Sequence, residues 1–211
     1  MTEPVRVLRK QTNWENLYFY QKTVALYQMT YVFCKRFLPK YGDRTVDQMV
    51  QAARSGKQNI VEGLADGVTS TEMELKLLNV ARASIKELKE DYLDYLTAHS
   101  LVRWEAGHPR YDALLGFCRS HNDLVDYEPH FEKWSDEEVA NCAVTLCHMV
   151  DKMLTTTLEK KEKDFTENGG IRERMTAERL GRRQTQNEEI AALKAEVERL
   201  KAKLKAAGLE P

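Results

Sequence analysis

The chain has 211 residues, of which 42% are hydrophobic and 31% are charged, so it can bury a core of useful size. Its formal net charge of -1 excludes a global attraction to nucleic acid or to a membrane surface and leaves only local charged patches for such roles. Its apolar runs are all shorter than the roughly 20 residues that a membrane-spanning helix needs, so we expect no membrane association. The first residues lack the apolar core of a secretory signal, which predicts a cytoplasmic protein with four reduced cysteines.

The first predicted helix has two apolar faces. Residues 1–12 are expected to form a loose arm, and Asn13 is suited to cap a helix that runs to about Leu38. One stripe follows the helical spacing of three and four residues: Leu17, Tyr20, Val24, Tyr27, Tyr31, Cys34 and Leu38. The opposite stripe comprises Phe19, Leu26, Phe33 and Phe37. Because a surface helix of a monomer needs one apolar face, we predict that this second stripe is an oligomer interface.

Two further helices are predicted before residue 98. The second runs to about Asp66, where Gly67 ends it, and the third begins with a capping box of Thr71 and Glu74. The core face of the third helix is a regular stripe of Leu75, Leu78, Ala81, Ile85, Leu88, Tyr92 and Tyr95.

Residues 98–134 interrupt the helical pattern, with a short helix expected near 111–119. A fourth long helix then begins at Ser135 and runs to about Lys163, with a buried face of Val139, Ala143, Leu146, Val150 and Met153. Four long amphipathic helices with mostly short connections predict an all-α, up-down four-helix bundle over residues 13–165. The Asn-Gly-Gly sequence at 168–170 is expected to end the fourth helix.

The remaining residues differ in composition from the bundle. Residues 166–184 form a basic suffix that contains Arg172, Arg174, Arg179, Arg182 and Arg183. Residues 185–211 are predicted to form a coiled-coil helix, because apolar residues recur there at steps of three and four. That seam comprises Ile190, Leu193, Val197, Leu200 and Leu204.

The charges beside the seam favour self-association in parallel. If Ile190 and Val197 occupy heptad position a, then Glu189 and Glu196 fall at g and Lys194 and Lys201 at e. Glutamate at g and lysine at e five residues later attract one another between parallel copies. Ile or Val at a with Leu at d favours two strands. Only two to three heptads are present, so the coil alone is expected to be marginally stable.

A stripe of small and amide residues lies along the second helix, opposite its apolar face. It contains Gln48, Ser55, Asn59 and Glu62. Such groups permit close approach and can hydrogen-bond to one another. The stripe is either a solvated face or a polar pairing with the third helix, or else a subunit contact or ligand surface.

The same region resembles the four-helix bundle protein family related to proteins encoded in intervening sequences of 23S ribosomal RNA genes. The resemblance lies in Gln48, Ala53, Arg54, Ser55, Asn59, Ile60, Glu62 and Gly63, and continues through Leu78, Ala81, Arg82, Ser84 and Glu87. The segment that follows the bundle is similar to the C-terminal suffix of one subfamily. The resemblance therefore marks Gln48, Arg54, Ser55, Asn59 and Glu62 as a family polar motif.

This resemblance implies a homo-oligomer, because relatives form pentameric barrels of bundles. A similar protein, the accessory protein of diversity-generating retroelements, acts with a reverse transcriptase and RNA. A pentamer would carry five copies of the coiled coil. The coil then joins five strands, or packs on the bundle, or the family stoichiometry is not followed.

The candidate catalytic and metal motifs are weak. Glu105 and His108 form one E-x-x-H pair in a loop, without the partner glutamates of a di-iron site. The cysteines and remaining histidines lack the arrangement of a zinc site, so we expect neither a metal nor another cofactor. We expect a non-enzymatic scaffold or adaptor whose suffix arginines contact RNA, DNA, a nucleic-acid enzyme or another acidic partner. The alternative is a purely structural self-assembling protein without a nucleic-acid role.

Overall fold

The described part of the chain is helical, which confirms the predicted all-α class. The structure, a computed structural model, describes residues 8, 13–39 and 44–208, so most of the predicted arm at 1–12 lies outside the described residues. The α-helices are α1 (Tyr18–Phe37), α2 (Arg44–Asp66), α3 (Thr71–Ala98), α4 (Tyr111–Ser120), α5 (Leu124–Tyr127), α6 (Asp136–Asn168) and α7 (Ile171–Ala206). Short 3-10 helices lie at Trp14–Asn16 and Glu128–His130.

Four of these helices form the bundle. Helices α1 and α3 each pack against both α2 and α6, so the four helices surround one core. The contacts between α3 and α6 run in opposite directions along the chain: Glu74 pairs with Lys161, Arg82 with Asp151, and the Tyr95 hydroxyl donates to Asp136. The predicted core stripes of α3 and α6 are buried, apart from half-buried Leu75 and Met153.

The helix ends partly follow the predicted caps. The fourth helix begins at Ser135 as predicted: the Ser135 hydroxyl accepts from the backbone N–H of Glu138 at 3.2 Å, and the Glu138 carboxylate accepts from that of Ser135 at 2.9 Å, which is a capping box. The capping box predicted at Thr71 is wrong, because Ser70 caps α3 instead by accepting from the N–H of Met73. Glu74, the other residue of that predicted capping box, instead pairs with Lys161 of α6 at 2.5 Å.

The stripe of α1 that was predicted to be an oligomer interface faces the core of the bundle. Phe19, Leu26 and Phe33 are 7%, 0% and 1% exposed, so their assignment to an oligomer interface is wrong. The ring of Phe33 packs edge-on against Tyr92 and Tyr95 of α3, which shows that this stripe is the core face. Phe37, the last member of the stripe, is half-buried beside Phe33.

The predicted core stripe of α1 lies mostly at the edge of the core, because Cys34 is 4% exposed and most of the other members pack against the core while half-buried. Tyr31 is 54% exposed, while Tyr20, Val24 and Tyr27 are half-buried. Both stripes have the helical period, so periodicity alone does not show which one faces the bundle. Tyrosine suits the outer position because its hydroxyl can remain in water while its ring packs on neighbours.

The chain divides into two units at the end of α6. Residues 13–39 and 44–168 belong to the bundle unit, and residues 169–208 belong to the second unit. Gly169 has a φ of +67°, the left-handed conformation that glycine adopts most readily, as expected from the Asn-Gly-Gly sequence. From Ile171 to Ala206 the second unit is one continuous helix, α7, so the predicted boundary between suffix and coil at 184 and 185 is not a break in structure.

Candidate functional site

The seam of α7 consists of apolar side chains that are open to solvent. Its five predicted members are exposed as follows: Ile190 49%, Leu193 66%, Val197 48%, Leu200 47% and Leu204 43%. Isolated exposed apolar side chains are common on proteins, but a regular row is typical of an interaction surface. The row occupies one side of a helix that is continuous from Ile171 to Ala206.

Charged side chains next to the seam are available for pairing with another chain. Lys201 contacts Glu198 at 3.0 Å, and Glu196 contacts Arg199 at 2.9 Å, within α7 itself. These pairs are largely exposed and so contribute little stability, which allows their members to exchange partners readily. Glu189 and Lys194 make no ion pair with any residue that the structure describes.

The five suffix arginines are not equivalent. Arg182 pairs with Glu178 one helical turn earlier, at 3.2 Å, and the Arg174 guanidinium lies 3.4 Å from the carbonyl oxygen of Gly170. Arg172, Arg179 and Arg183 are exposed and form no ion pair within the described part of the chain. Their spacing of seven and four residues places these three on one side of α7.

That side of α7 continues the line of the seam. Counting back from Ile190 at position a, Arg183 also falls at a, and Arg179 and Arg172 fall at d. The row of side chains therefore changes from arginine to aliphatic along one helix. Two copies joined at the aliphatic end would bring like charges together at the arginine end, where they would repel each other.

The family polar motif is divided between a helix junction and exposed surface. The Ser55 hydroxyl lies 3.0 Å from the Ser84 hydroxyl of α3, and the Asn59 amide donates to the carbonyl and hydroxyl oxygens of Ser55. Arg54 and Glu62 are exposed, and exposed Gln48 lies with Ser55 along an open groove between α2 and α3. The structure thus brings Ser55 and Asn59 together and leaves Arg54 and Glu62 apart from them.

Small residues beside this junction allow α2 and α3 to approach closely. A Cβ added at Gly56 would lie 2.7 Å from the Ile85 Cδ1 atom, and one at Gly63 would lie 3.2 Å from the Leu77 Cβ atom. The polar pairing between the second and third helices, which is one of the expectations for the stripe, is therefore present at Ser55, Asn59 and Ser84. The functional role of the motif stays a prediction.

A buried cluster around Lys22 is absent from the sequence-based expectations. Lys22 is 1% exposed, and its ammonium donates to the backbone oxygens of Cys118 and His121 at 2.5 and 2.8 Å. Burial lowers the pKa of Lys22. The Tyr127 hydroxyl also donates to the His121 oxygen, at 2.9 Å. The only sequence signal is a lysine within the buried stripe of α1, between Phe19 and Leu26.

Two cysteines lie beside this ammonium. The Cys118 and Cys142 sulfurs are 3.8 Å apart, and both side chains are fully buried. The hydrogen bond from Cys142, assisted by the charge of Lys22, lowers the pKa of Cys118, whereas burial raises the pKa of Cys142. We assign the cluster a structural role, because it ties α1 to the end of α4 and is closed to solvent.

Within residues 13–39 and 44–208, the His, Cys, Asp and Glu side chains form no group of three that could hold a metal ion. The helices that the structure describes include none long and apolar enough to cross a membrane.

Comparisons with known proteins identify no relative of the chain. No family model, no curated protein and no solved structure matches it.

Proposed function

We propose that this chain is a homo-oligomeric scaffold whose C-terminal helix joins copies of the protein and carries a four-helix bundle on each copy. The observation that supports this most strongly is the row of five aliphatic side chains, each between 43% and 66% exposed, along the last turns of α7. Covering such a row removes apolar surface from water, which favours association.

A second copy of α7 suits this surface better than an unrelated apolar partner. In a parallel pair, Glu189 of one chain would face Lys194 of the other, and Glu196 would face Lys201. Each such contact contributes a few tenths of a kcal/mol, so the charges set direction and register more than affinity. Ile190 and Val197 at a with leucine at d favour two strands, although relatives implied by the resemblance are pentameric.

The proposal is tested by changing the seam and comparing it with the opposite side of the same helix. Leu193 and Leu200 are replaced together by serine in one variant, and Ala195 and Ala202 are replaced together by serine in the control. Both variants introduce two serines into exposed positions of α7, so their helix propensities change by similar amounts. Circular dichroism checks that the bundle remains folded.

The parent and the control are expected to show a mass that is a multiple of 24.4 kDa by light scattering at micromolar concentration. The seam variant should show a mass nearer to 24.4 kDa. A parent that remains at 24.4 kDa, or a seam variant with the mass of the parent, would contradict self-association through α7.

A second candidate function is contact with nucleic-acid phosphates through the arginine half of α7. It is favoured by the exposure of Arg172, Arg179 and Arg183 on one side, without ion pairs to other described residues. Arginine is suited to phosphate because its planar guanidinium can donate two parallel hydrogen bonds. Joining copies at the seam would also place two such rows near each other, so their contacts would act together.

The chain supplies a matched control for this second function. In the test variant, Arg179 and Arg183 are both replaced by glutamine. In the control variant, Arg174 and Arg182, which are bonded within α7 or to Gly170, are both replaced by glutamine. Fluorescence anisotropy then measures binding to a short RNA duplex and a short DNA duplex at several salt concentrations. The first variant should bind more weakly and lose about 0.9 of salt slope per phosphate contact removed on DNA, while the second should resemble the parent.

The oligomeric mass must be measured for both arginine variants, because disassembly alone would weaken binding. A parent that binds neither duplex even at low salt would contradict nucleic-acid contact. The purely structural scaffold would then be the better description of the protein.

A further inference from the structure

The segment between α3 and α4 is held firmly against α6. The buried Asn141 side chain accepts a hydrogen bond from the backbone N–H of Trp104 at 2.7 Å and donates to the carbonyl oxygen of Val102 at 2.9 Å. The Glu137 carboxylate accepts from the Trp104 indole N–H at 2.9 Å and from the Val102 N–H at 3.1 Å. Two side chains of α6 therefore fix both the backbone of the segment and the ring of its tryptophan.

The Trp104 ring is also fixed from within the segment. His108 stacks on it with the ring centres 5.1 Å apart and the planes 10° from parallel. The Arg110 guanidinium lies 5.3 Å from the centre of the same ring and contacts Glu138 at 3.2 Å. A ring that is positioned on several sides can form a rigid wall, because little conformational entropy remains to be lost when something packs on it.

This segment, α4 and α6 line an open pocket of about 600 Å³. That volume is within the range of small-molecule sites, which typically have apolar walls and a few polar groups that orient the ligand. The larger apolar and aromatic side chains that line the pocket are Trp104, Tyr111, Leu115, Val144, Met149 and Met153. The two methionines are unbranched and flexible, so this wall can adapt to a ligand's shape.

Positive charge predominates among the other residues that line the pocket. Arg103, Arg119 and Lys152 carry it, and Glu105 is the one acidic side chain among the described lining residues. Glu105 pairs with Arg103 at 3.0 Å, whereas Arg119 and Lys152 form no ion pair with any described residue. Two exposed cations therefore stand beside an apolar wall without a neutralising partner.

His148 also lines the pocket and is subject to this positive charge. Partial burial lowers its pKa, and the nearby cations Lys89 and Arg103 lower it further against the opposing effect of Asp151 and Glu90. The imidazole is thus favoured in its neutral form, in which it can donate or accept a hydrogen bond.

We propose that this pocket binds a small organic anion with a planar aromatic body. The aromatic ring would pack against Trp104, Tyr111 and the methionines, where rings and sulfur atoms make favourable contacts. The anionic group, a phosphate or a carboxylate, would face Arg119 and Lys152 and receive charge-assisted hydrogen bonds from them. The site lies within the bundle unit and is independent of self-association through α7.

Binding is tested by calorimetry on the full chain with three probes that share one ring system. 1-Naphthyl phosphate carries an anion, 1-naphthol is neutral at pH 7, and 1-naphthylmethylamine carries a cation. The phosphate is expected to bind at least about tenfold more tightly than the naphthol, and the amine more weakly than either. Adenosine monophosphate and 1-naphthoate then distinguish a preference for phosphate on a nucleoside from one for a simple aryl acid.

Three charge-removing substitutions locate the binding site. Arg119→Gln and Lys152→Gln should each weaken 1-naphthyl phosphate binding about tenfold while leaving 1-naphthol binding nearly unchanged. Lys160→Gln is the matched control, because Lys160 is an exposed lysine of α6 that does not line the pocket, and it should bind as the parent does.

Two kinds of result would overturn the proposal. Equal affinity for the phosphate and the naphthol, or no binding of the phosphate at millimolar concentration, would overturn the proposal. A loss of affinity in Lys160→Gln equal to that in Lys152→Gln would show a diffuse charge effect and would also overturn it. Thermal unfolding checks that each variant is folded, and the unchanged affinity for 1-naphthol provides the same control at the pocket itself.

Discussion

Asp91 of α3 is expected to destabilise the fold at neutral pH, and its replacement by asparagine should remove that effect. The Asp91 Oδ2 atom is buried and has no hydrogen-bond partner among the described residues. Glu87 and Asp94 lie four residues before and three residues after it on the same helix. Burial and the repulsion from these two carboxylates raise the pKa of Asp91 to about 6.

The size and sign of the effect follow from that pKa. In the unfolded chain an aspartate has a pKa of about 3.9, so the ionised form is less favourable in the folded state by about 2 units, or about 3 kcal/mol. Water reaches part of this side chain and screens its charge, which reduces the expected effect to about 1–2 kcal/mol. Below about pH 4 the folded and unfolded states are both protonated, so the penalty is absent; it grows between about pH 4 and 6 and is complete above that.

Urea unfolding of the parent and of Asp91→Asn at pH 7.5 and at pH 4 measures this difference directly. The variant should be more stable by about 1–2 kcal/mol at pH 7.5 and nearly equal to the parent at pH 4. Asp112→Asn serves as a control, because it makes the same change at an exposed residue in the first turn of α4, where it should cost up to about 0.5 kcal/mol. A destabilised Asp91→Asn at pH 7.5, or a gain that is the same at both pH values, would refute the reasoning.

Four further substitutions and one labelling experiment test the bundle. Phe33→Ala should lower the free energy of unfolding by about 3–5 kcal/mol without changing the oligomeric mass, whereas Tyr31→Ala should change stability by less than about 0.5 kcal/mol; the reverse order would contradict the assignment of the core face. Ser84→Ala should cost about 0.5–1.5 kcal/mol through the lost bond to Ser55, and adding Ser55→Ala should cost less than the sum of the single changes. The four buried cysteines should resist a thiol reagent in the native protein and react in denaturant, and rapid labelling of any of them would contradict their burial.

The helices were predictable because their ends and buried faces have local signals. The Ser135 capping box and the Gly169 stop depend on groups within a few residues of each other, and the structure contains both. The short helix expected near 111–119 is α4. At α3 two adjacent residues, Ser70 and Thr71, were both suited to be the cap, and the sequence rule selected the wrong one.

The faces of α1 were not predictable from the same kind of signal. Phe33 and Tyr31 both belong to apolar rows with the correct period, and only contacts with Tyr92 and Tyr95, about 60 residues later, place Phe33 inside. The phenylalanine row is the more hydrophobic of the two, which is the one local clue to the result.

The pocket and the Lys22 cluster were not predicted, because both depend on contacts between residues far apart in the chain, such as the bond from Lys22 to the backbone of Cys118. The pocket depends on Asn141 and Glu137 of α6 binding a loop more than 30 residues earlier, and an Asn or Glu on a long helix gives no sign of such a partner. The seam of α7, by contrast, was predictable as a pattern because its members are only three or four residues apart.

The measurement that most directly tests the central claim is disulfide formation between copies of α7. Leu204 occupies position a, which faces its own counterpart in a parallel pair, and Ala202 lies on the opposite side at position f. The native cysteines are buried, so a cysteine introduced at either exposed position is the accessible thiol. Under mild oxidation at micromolar concentration, Leu204→Cys should form a covalent pair of chains much faster than Ala202→Cys. Equal rates, or no covalent pair from Leu204→Cys, would contradict parallel joining of copies through this seam.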